Sequence, residues 1–314
     1  MEGMTFLTLR ADQRADVRIF DLDSGETSVV FSSTSLFVEA PNWHPEGEWL
    51  VLNVEGGLVR LRADGSSSLE PVPVPAPLVL NNDHVISPDG RHLLVSARDG
   101  RLYRLPWGGG AATQATPVTE LPDPALRFKY YLHGVSRDGQ TLAAIGGGLD
   151  ASGTWVTNVY TLPAVGGPHT QLTDDAFVDD GCDFSADGEA IWFNSERAGE
   201  YPGHAQLFRM GVDGTGLQRM THDDRVNWFP HPSPDGRHVL YLSYPAGTTG
   251  HPPNLDVELR LIDLSSGDER VIDSFLGGQG TTNVPGWSPD GRRVAYVAYP
   301  MTQALAEGRG GDHR

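Results

Sequence analysis

The chain has 314 residues but contains one cysteine and one lysine. With Cys182 alone, neither an intramolecular disulfide nor a cysteine-based metal finger can form. Lys129 is the only lysine among 23 basic residues, and 41 acidic residues leave a net charge of −18. Proteins that track nucleic-acid phosphates need a basic face, so this balance argues against a nucleic-acid partner.

Long apolar runs are also missing. No stretch of about 18 apolar residues occurs, and we therefore expect no membrane insertion. Residues 1–10 carry Glu2 and lack a basic start followed by an apolar core, which is not typical of a secretory signal. We expect a cytoplasmic monomer.

Turn-forming residues are abundant instead. The chain has 38 Gly and 23 Pro, and nine of its Asp residues stand directly before Gly. Asp-Gly pairs are turn chemistry and point away from a helical bundle. The hydrophobic fraction of 39% is modest, but seven Trp and nine Tyr favour a packed core.

One four-residue string recurs six times, with its acidic positions 43 to 55 residues apart. The six copies are His44-Pro45-Glu46-Gly47, Ser87-Pro88-Asp89-Gly90, Ser136-Arg137-Asp138-Gly139, Ser185-Ala186-Asp187-Gly188, Ser233-Pro234-Asp235-Gly236 and Ser288-Pro289-Asp290-Gly291. Pro presets the backbone of a type I turn and Gly supplies the left-handed residue that follows it. A short β-rich run comes after each copy, so each string predicts a β-hairpin.

A second strand–turn–strand module follows the hairpins, for example Leu207–Met210 with a turn at Asp213-Gly214. Four strands in about 45 residues are typical of a propeller blade. The sequence predicts an all-β, six-bladed propeller of four-stranded antiparallel blades over residues 1–300. Val17–Phe31 and Ser288–Tyr299 would share the closing blade, and 301–314 would form a tail.

The repeat resembles that of TolB-type propellers. The resemblance rests on Pro41-Asn42-Trp43-His44-Pro45, Leu172-Thr173-Asp174-Asp175 and Trp287-Ser288-Pro289-Asp290-Gly291. Three further strings, Asn81–His84, Trp228–Pro232 and Gly277–Thr281, are similar to short bacterial TolB-like propellers without the N-terminal α/β domain of periplasmic TolB. The resemblance implies a six-bladed propeller acting as a binding or interaction protein.

Polar residues before the hairpins are candidates for a site at one mouth of the central channel. The strand that precedes each hairpin is innermost in a propeller, so its early residues border the channel. The candidate ligand-binding residues are Asn82, Asp83, His84, His133, Asp179, Asp180, Asp183, Trp228, His231 and Gln279. The four Asp residues of this set lie where turns do not require them.

These residues leave two functions open. The first is a binding module for a small polar or carbohydrate ligand, or for a peptide or protein partner. The second is a metal-dependent carbohydrate lyase or hydrolase in which His84, His133, His231 and Gln279 hold Mn, Zn, Fe or Ni.

The second function has a distant parallel in oligogalacturonate lyases, which are propellers that hold a divalent metal through His and Gln. That parallel implies Asp83, Asp180 or Lys129 as the base. The long segment Tyr244–Leu255 is either a surface excursion or a loop that brings His251 over the channel.

Overall fold

The computed structural model describes residues 6–108, 114–120 and 124–302. The chain starts with β1 (Ala15–Asp21) and β2 (Thr27–Ser33). Blade 1 contains β3 (Val38–Trp43), β4 (Trp49–Val54), β5 (Gly57–Arg62) and β6 (Glu70–Val72), and blade 2 contains β7 (Leu80–Ile86), β8 (His92–Ala97), β9 (Leu102–Pro106) and β10 (Thr116–Pro117).

A short 3₁₀ helix, Pro124–Leu126, precedes the next three blades. Blade 3 contains β11 (Lys129–Val135), β12 (Thr141–Leu149), β13 (Trp155–Pro163) and β14 (Thr170–Gln171). Blade 4 contains β15 (Asp179–Phe184), β16 (Ala190–Ser195), β17 (Gln206–Gly211) and β18 (Gln218–Arg219). Blade 5 contains β19 (Val226–Pro232), β20 (His238–Tyr244), β21 (Leu255–Asp263) and β22 (Glu269–Gly277), and β23 (Arg293–Ala298) ends the series.

Blade 6 closes the ring by joining the two ends of the described chain. Strand β23 pairs antiparallel with β1, and β1 pairs with β2. Residues 281–287 take the innermost place, held by the Trp287–Val294 bridge and by hydrogen bonds from the Ala295 and Val297 amides. The predicted all-β, six-bladed fold and its closure are therefore confirmed. In the described part of the chain, no helix has the length and apolar character needed to cross a membrane.

The predicted tail begins within this closure. Met301 bridges to Gln13, and the amide of Thr302 donates to the carbonyl of Asp12. Residues 303–314 lie outside the described residues.

The repeated strings form the predicted hairpins. In the second copy, Gly90 has φ +68° and its amide donates to the Ser87 carbonyl. The Ser87 hydroxyl donates to Asp89 Oδ1 at 2.6 Å and accepts from the His92 amide at 2.9 Å. Neighbouring blades then pack face to face, so that Leu50, Val51 and Leu52 of β4 are all inaccessible to solvent. Each fully buried Leu contributes about 2 kcal/mol to folding.

Candidate functional site

Every inner strand has an irregular register near its start. The irregularities fall between Glu39 and Asn42, Leu80 and His84, Leu132 and Gly134, Asp180 and Asp183, and Trp228 and His231. Ala40, Gly181 and Phe229 have positive φ at equivalent places in three of these strands. Bulges of this kind re-aim side chains and are frequent beside functional sites. In this protein each irregularity separates the polar residues at the start of an inner strand from the regularly paired residues that lead to the hairpin.

We call the channel end where the inner strands begin the polar mouth. Its members come from successive inner segments and from one loop, and they are Glu39, Asn82, Asp83, Tyr131, His133, Asp180, His251 and Gln279.

Asp180 lies at the centre of the polar mouth. One of its oxygens, Oδ1, is 3.0 Å from His133 Nε2, and the other, Oδ2, is 3.5 Å from His251 Nε2. Burial alone would raise the pKa of Asp180, but the two imidazoles hold it below its usual range. Burial would likewise lower the pKa of His133, but Asp180 and Asp83 raise it to about 9. A carboxylate and an imidazolium therefore face each other here at neutral pH.

His251 reaches the polar mouth from the loop between β20 and β21. Its Nδ1 is hydrogen bonded to Gln279 Oε1, and its ring packs edge-on against Trp228 at 4.6 Å and Phe229 at 5.1 Å between centroids. The loop packs closely against Gly278, where a Cβ would overlap the carbonyl oxygen of Pro252. Of the two alternatives for this segment, the loop that brings His251 over the channel is the one observed.

Two further carboxyl groups border the polar mouth. Burial raises the pKa of Glu39 to about 8, and the nearby Asp83 adds to the shift. Burial also raises the pKa of Asp83 to about 6, while Asn81 donates to its Oδ2 at 2.7 Å. Burial, Asp83 and Asp180 together raise the pKa of Tyr131 to about 12. The site therefore holds protonated and ionised carboxyl groups side by side.

A cavity of about 180 Å³ opens beside this cluster. It is lined by Phe6, Leu7, Glu39, Asn53, Leu80, Asn81, Asn82, Arg98 and Gln279. Asn82 Nδ2 lies 3.4 Å from Glu39 Oε1, whereas Asn82 Oδ1 and Gln279 Nε2 have no hydrogen-bond partner among the described residues. The Arg98 guanidinium stacks over Phe6 at 4.5 Å from the ring centroid.

Several predicted site residues lie elsewhere. His231 and Asp183 form a buried pair, with Nδ1 and Oδ2 3.2 Å apart, toward the hairpin end of the channel. Asp179 is paired with Arg197 through two 2.9 Å contacts. Trp228 is 2% exposed, and its ring packs edge-on against His251.

The remaining two are His84 and the candidate base Lys129. Both ring nitrogens of His84 are 3.2 Å from backbone carbonyls, those of Asn82 and Val51, and burial lowers its pKa to about 4. Lys129 is exposed at the start of β11.

The four residues proposed as metal ligands do not share one place. His231 Nε2 is 2.9 Å from the Thr282 carbonyl, and His133 Nδ1 is 3.0 Å from the Asn283 carbonyl. Within the described ranges, no group of three or more His, Cys, Asp or Glu side chains is arranged to hold a metal ion. Of the proposed ligands, only His133 and Gln279 contact the polar mouth.

Glu39, Tyr131 and Arg98 are not among the site residues that the sequence predicts. A signal for the first two exists in the repeat. Counted five residues back from the Ser-like position of each string, Glu39, Asn82, Tyr131, Asp180, Trp228 and Asn283 are equivalent. Nothing comparable marks Arg98, which reaches the cavity from the turn after β8.

Comparison with known proteins agrees with this architecture. Residues 135–298 match the family model of the TolB β-propeller domain, PD40. An uncharacterized protein of Agrobacterium fabrum, Atu1656, is 39% identical over 290 residues, which cover 91% of this chain and 92% of that protein. A solved Agrobacterium tumefaciens structure, provisionally described as TolB, superposes with a TM-score of 0.81 at 38% identity and covers 91% of this chain and 98% of the other.

A more distant likeness exists to an oligogalacturonate lyase from Vibrio parahaemolyticus. The TM-score is 0.56 at 12% identity, over 88% of this chain and 77% of the lyase. At that identity the likeness is one of fold alone.

Proposed function

Because this chain belongs to the TolB β-propeller family, whose fold alone does not define a ligand, we propose from the polar mouth that it binds a small, uncharged, polyhydroxylated molecule such as a sugar or polyol. The observation that carries the proposal is the 180 Å³ cavity at the polar mouth, whose lining includes Glu39, Asn82 and Gln279. Its volume corresponds to about six water molecules at roughly 30 Å³ each, which suits a ligand of that size.

The chemistry of the lining favours hydroxyl groups. A hydroxyl both donates and accepts, and it needs partners of both kinds. Asn82 Oδ1 offers an acceptor and Gln279 Nε2 offers donors. With a pKa of about 8, Glu39 is mostly protonated at pH 7 and can donate as well as accept.

The test is a thermal-shift panel of sugars, polyols and sugar acids on wild type, Asn82→Ala and Gln279→Ala, with Gln140→Ala in an exposed hairpin as control. A ligand at 100 times its Kd adds about 2.7 kcal/mol of stability. We expect a neutral sugar or polyol to stabilise wild type and the control, and not the two cavity variants. Equal stabilisation of all four proteins, or of none, would contradict the proposal.

Asp83 favours a second candidate, a carbohydrate lyase or hydrolase. A carboxyl group with a pKa of about 6, beside His133 and Asp180, suits a general acid or base. Product formation from a metal-supplemented polysaccharide panel, measured with metal content after dialysis, tests this candidate. Turnover that is lost in Asp83→Asn would support catalysis. Absence of product with every substrate leaves the binding function as the better account.

A further inference from the structure

The opposite end of the channel carries a second cavity, of about 350 Å³, which we call the hairpin mouth. All six repeats contribute to its wall. The lining residues are Asn42, Trp43, Pro45, Val85, Ile86, Pro88, Val135, Arg137, Asp183, Phe184, Ser185, Ala186, Pro232, Ser233, Pro234, Pro285, Trp287 and Pro289. Prolines, aromatic rings and aliphatic side chains dominate this set, in contrast to the polar mouth.

The rim of the hairpin mouth is set by the second residue of each repeated string. Five of the six are small or apolar: Pro45, Pro88, Ala186, Pro234 and Pro289. Adjacent hairpins touch, since a Cβ on Gly139 would lie 3.5 Å from Pro88 Cδ and one on Gly236 would lie 3.4 Å from Ala186 Cβ. Neighbouring hairpins therefore lie close together at these two places, and five of the six rim positions are small or apolar.

Arg137 interrupts this ring. It is exposed and makes no hydrogen bond or ion pair to any described residue. Its neighbour Asp138 is engaged by Ser136 and by the Gln140 amide. At the floor, Asp183 accepts from the Phe184 amide at 2.8 Å and faces His231 Nδ1 at 3.2 Å. Among the residues that line this cavity, Arg137 is the one cation without a partner.

We propose that the hairpin mouth binds a peptide segment of a partner protein, which inserts an apolar side chain between the prolines and sets an adjacent Asp or Glu carboxylate against Arg137. The volume equals about twelve water molecules at roughly 30 Å³ each, enough for one or two side chains and too small for a folded domain. Aromatic-lined grooves are among the surfaces that protein domains use to hold extended peptides. A guanidinium at the rim selects a carboxylate by a charge-assisted, bidentate hydrogen bond.

The experiment is selection of a displayed random heptapeptide library on wild type, Arg137→Pro, Arg137→Glu and Arg91→Ala. Arg137→Pro introduces the residue that four of the other five strings carry at this position, and so preserves the turn. Arg91→Ala removes an exposed Arg just beyond a neighbouring hairpin and outside the cavity lining. Selections are run near 0.15 M salt, where charges farther than about 8 Å are screened.

We expect wild type and Arg91→Ala to enrich peptides with an apolar residue beside Asp or Glu. The enriched peptide should bind Arg137→Pro at least ten-fold more weakly than wild type. Arg137→Glu should bind the peptide with restored affinity only when the Asp or Glu of the peptide is changed to Lys. Enrichment without acidic residues, equal affinity for Arg137→Pro, or no enrichment would overturn the proposal. Self-association of wild type that Arg137→Pro abolishes would also overturn it, since a second copy would then occupy the mouth.

Discussion

At the polar mouth the inner segments present Glu39, Asp83, His133 and Asp180, whereas at the hairpin mouth the same segments present prolines and aromatic rings. Only a few residues of each strand separate these two surfaces. The difference follows from local backbone structure. The register irregularities lie toward the polar mouth, while the turns at the other end are fixed by the repeated string. Irregular backbone re-aims polar groups at the polar mouth, and the regular turns place a small or apolar residue at five of the six rim positions of the hairpin mouth.

The two mouths also differ in how they hold charge. The polar mouth places several carboxyl groups against two imidazoles, so its contribution to folding stability depends on pH and on which groups lie beside each acid. The hairpin mouth holds one buried Asp183–His231 pair and one exposed, unengaged Arg137 within the described residues. We therefore expect substitutions at the polar mouth to change folding stability strongly, and a substitution of Arg137 to change it little.

The largest expected effect concerns the loop that carries His251 at the polar mouth. Gly278 has φ +126°, and a Cβ there would overlap the Pro252 carbonyl oxygen. Gly278→Ala should lower the free energy of unfolding by roughly 2–3 kcal/mol, because backbone strain adds to displacement of the His251 loop. Urea unfolding measures the change. Gly25→Ala, also at positive φ but with nothing within 4 Å, is the matched control and should lose about 1 kcal/mol. Equal losses in both variants would show that the loop is not held at Gly278.

The next effect concerns Asp180. Asp180→Asn should lower the free energy of unfolding at pH 6 by about 2 kcal/mol, less than for a fully buried pair because its side chain is 21% exposed. The folded pKa of His133, about 9, lies above its ordinary 6.5, so its contribution is complete below pH 6.5 and is lost as pH rises through 9. The difference between wild type and Asp180→Asn should therefore shrink between pH 6 and pH 9.5.

Urea unfolding at the two pH values measures that difference, and NMR titration of His133 should give a lower pKa in the variant than in wild type, since Asp180 then no longer offsets burial while Asp83 remains. Asp174→Asn at an exposed loop is the control. A His133 pKa that stays near 9 in Asp180→Asn would mean that other groups hold its charge.

Much of the fold follows from the sequence, because Ser87, Asp89 and Gly90 and their repeats act within a single turn. The candidate site follows only in part. His133 contacts Asp180, and Gln279 is hydrogen bonded to His251 at the same mouth. Asp183 and His231 lie toward the other end of the channel, beyond the bulge that separates them from Asp180 and Trp228.

Bulges at Ala40 and Phe229 are invisible in the sequence, since neither is a residue that favours positive φ. The place of His251 likewise depends on long-range packing against Trp228 and Gln279. The turns can therefore be predicted from the sequence alone, because their residues act locally. The direction of a side chain beyond a bulge cannot be predicted in this way.

A smaller effect, of opposite sign, is expected at Glu39. Its folded pKa of about 8 lies above the ordinary 4.5, so the folded state holds a proton that the unfolded chain releases, and stability falls as pH rises from 4.5 to 8. Glu39→Gln stays neutral and should be more stable than wild type by about 1–2 kcal/mol at pH 9, with little difference at pH 4. Unfolding by urea at both pH values measures this, and Glu70→Gln at an exposed ion pair is the control. A pH-independent difference would contradict the assigned pKa.

The smallest effect is expected at the hairpin mouth. Arg137→Pro should raise the free energy of unfolding by about 0.5 kcal/mol, since Pro fits this turn position in four other strings and reduces the freedom of the unfolded chain. The Arg137 amide makes no hydrogen bond to a described residue, so none is lost. Thermal unfolding of Arg137→Pro beside Arg137→Ala separates the proline effect from loss of the guanidinium. A stabilised Arg137→Pro that no longer binds the selected peptides would mean that the arginine serves recognition at a cost in stability, whereas a destabilised one would place Arg137 among the residues that hold the turn.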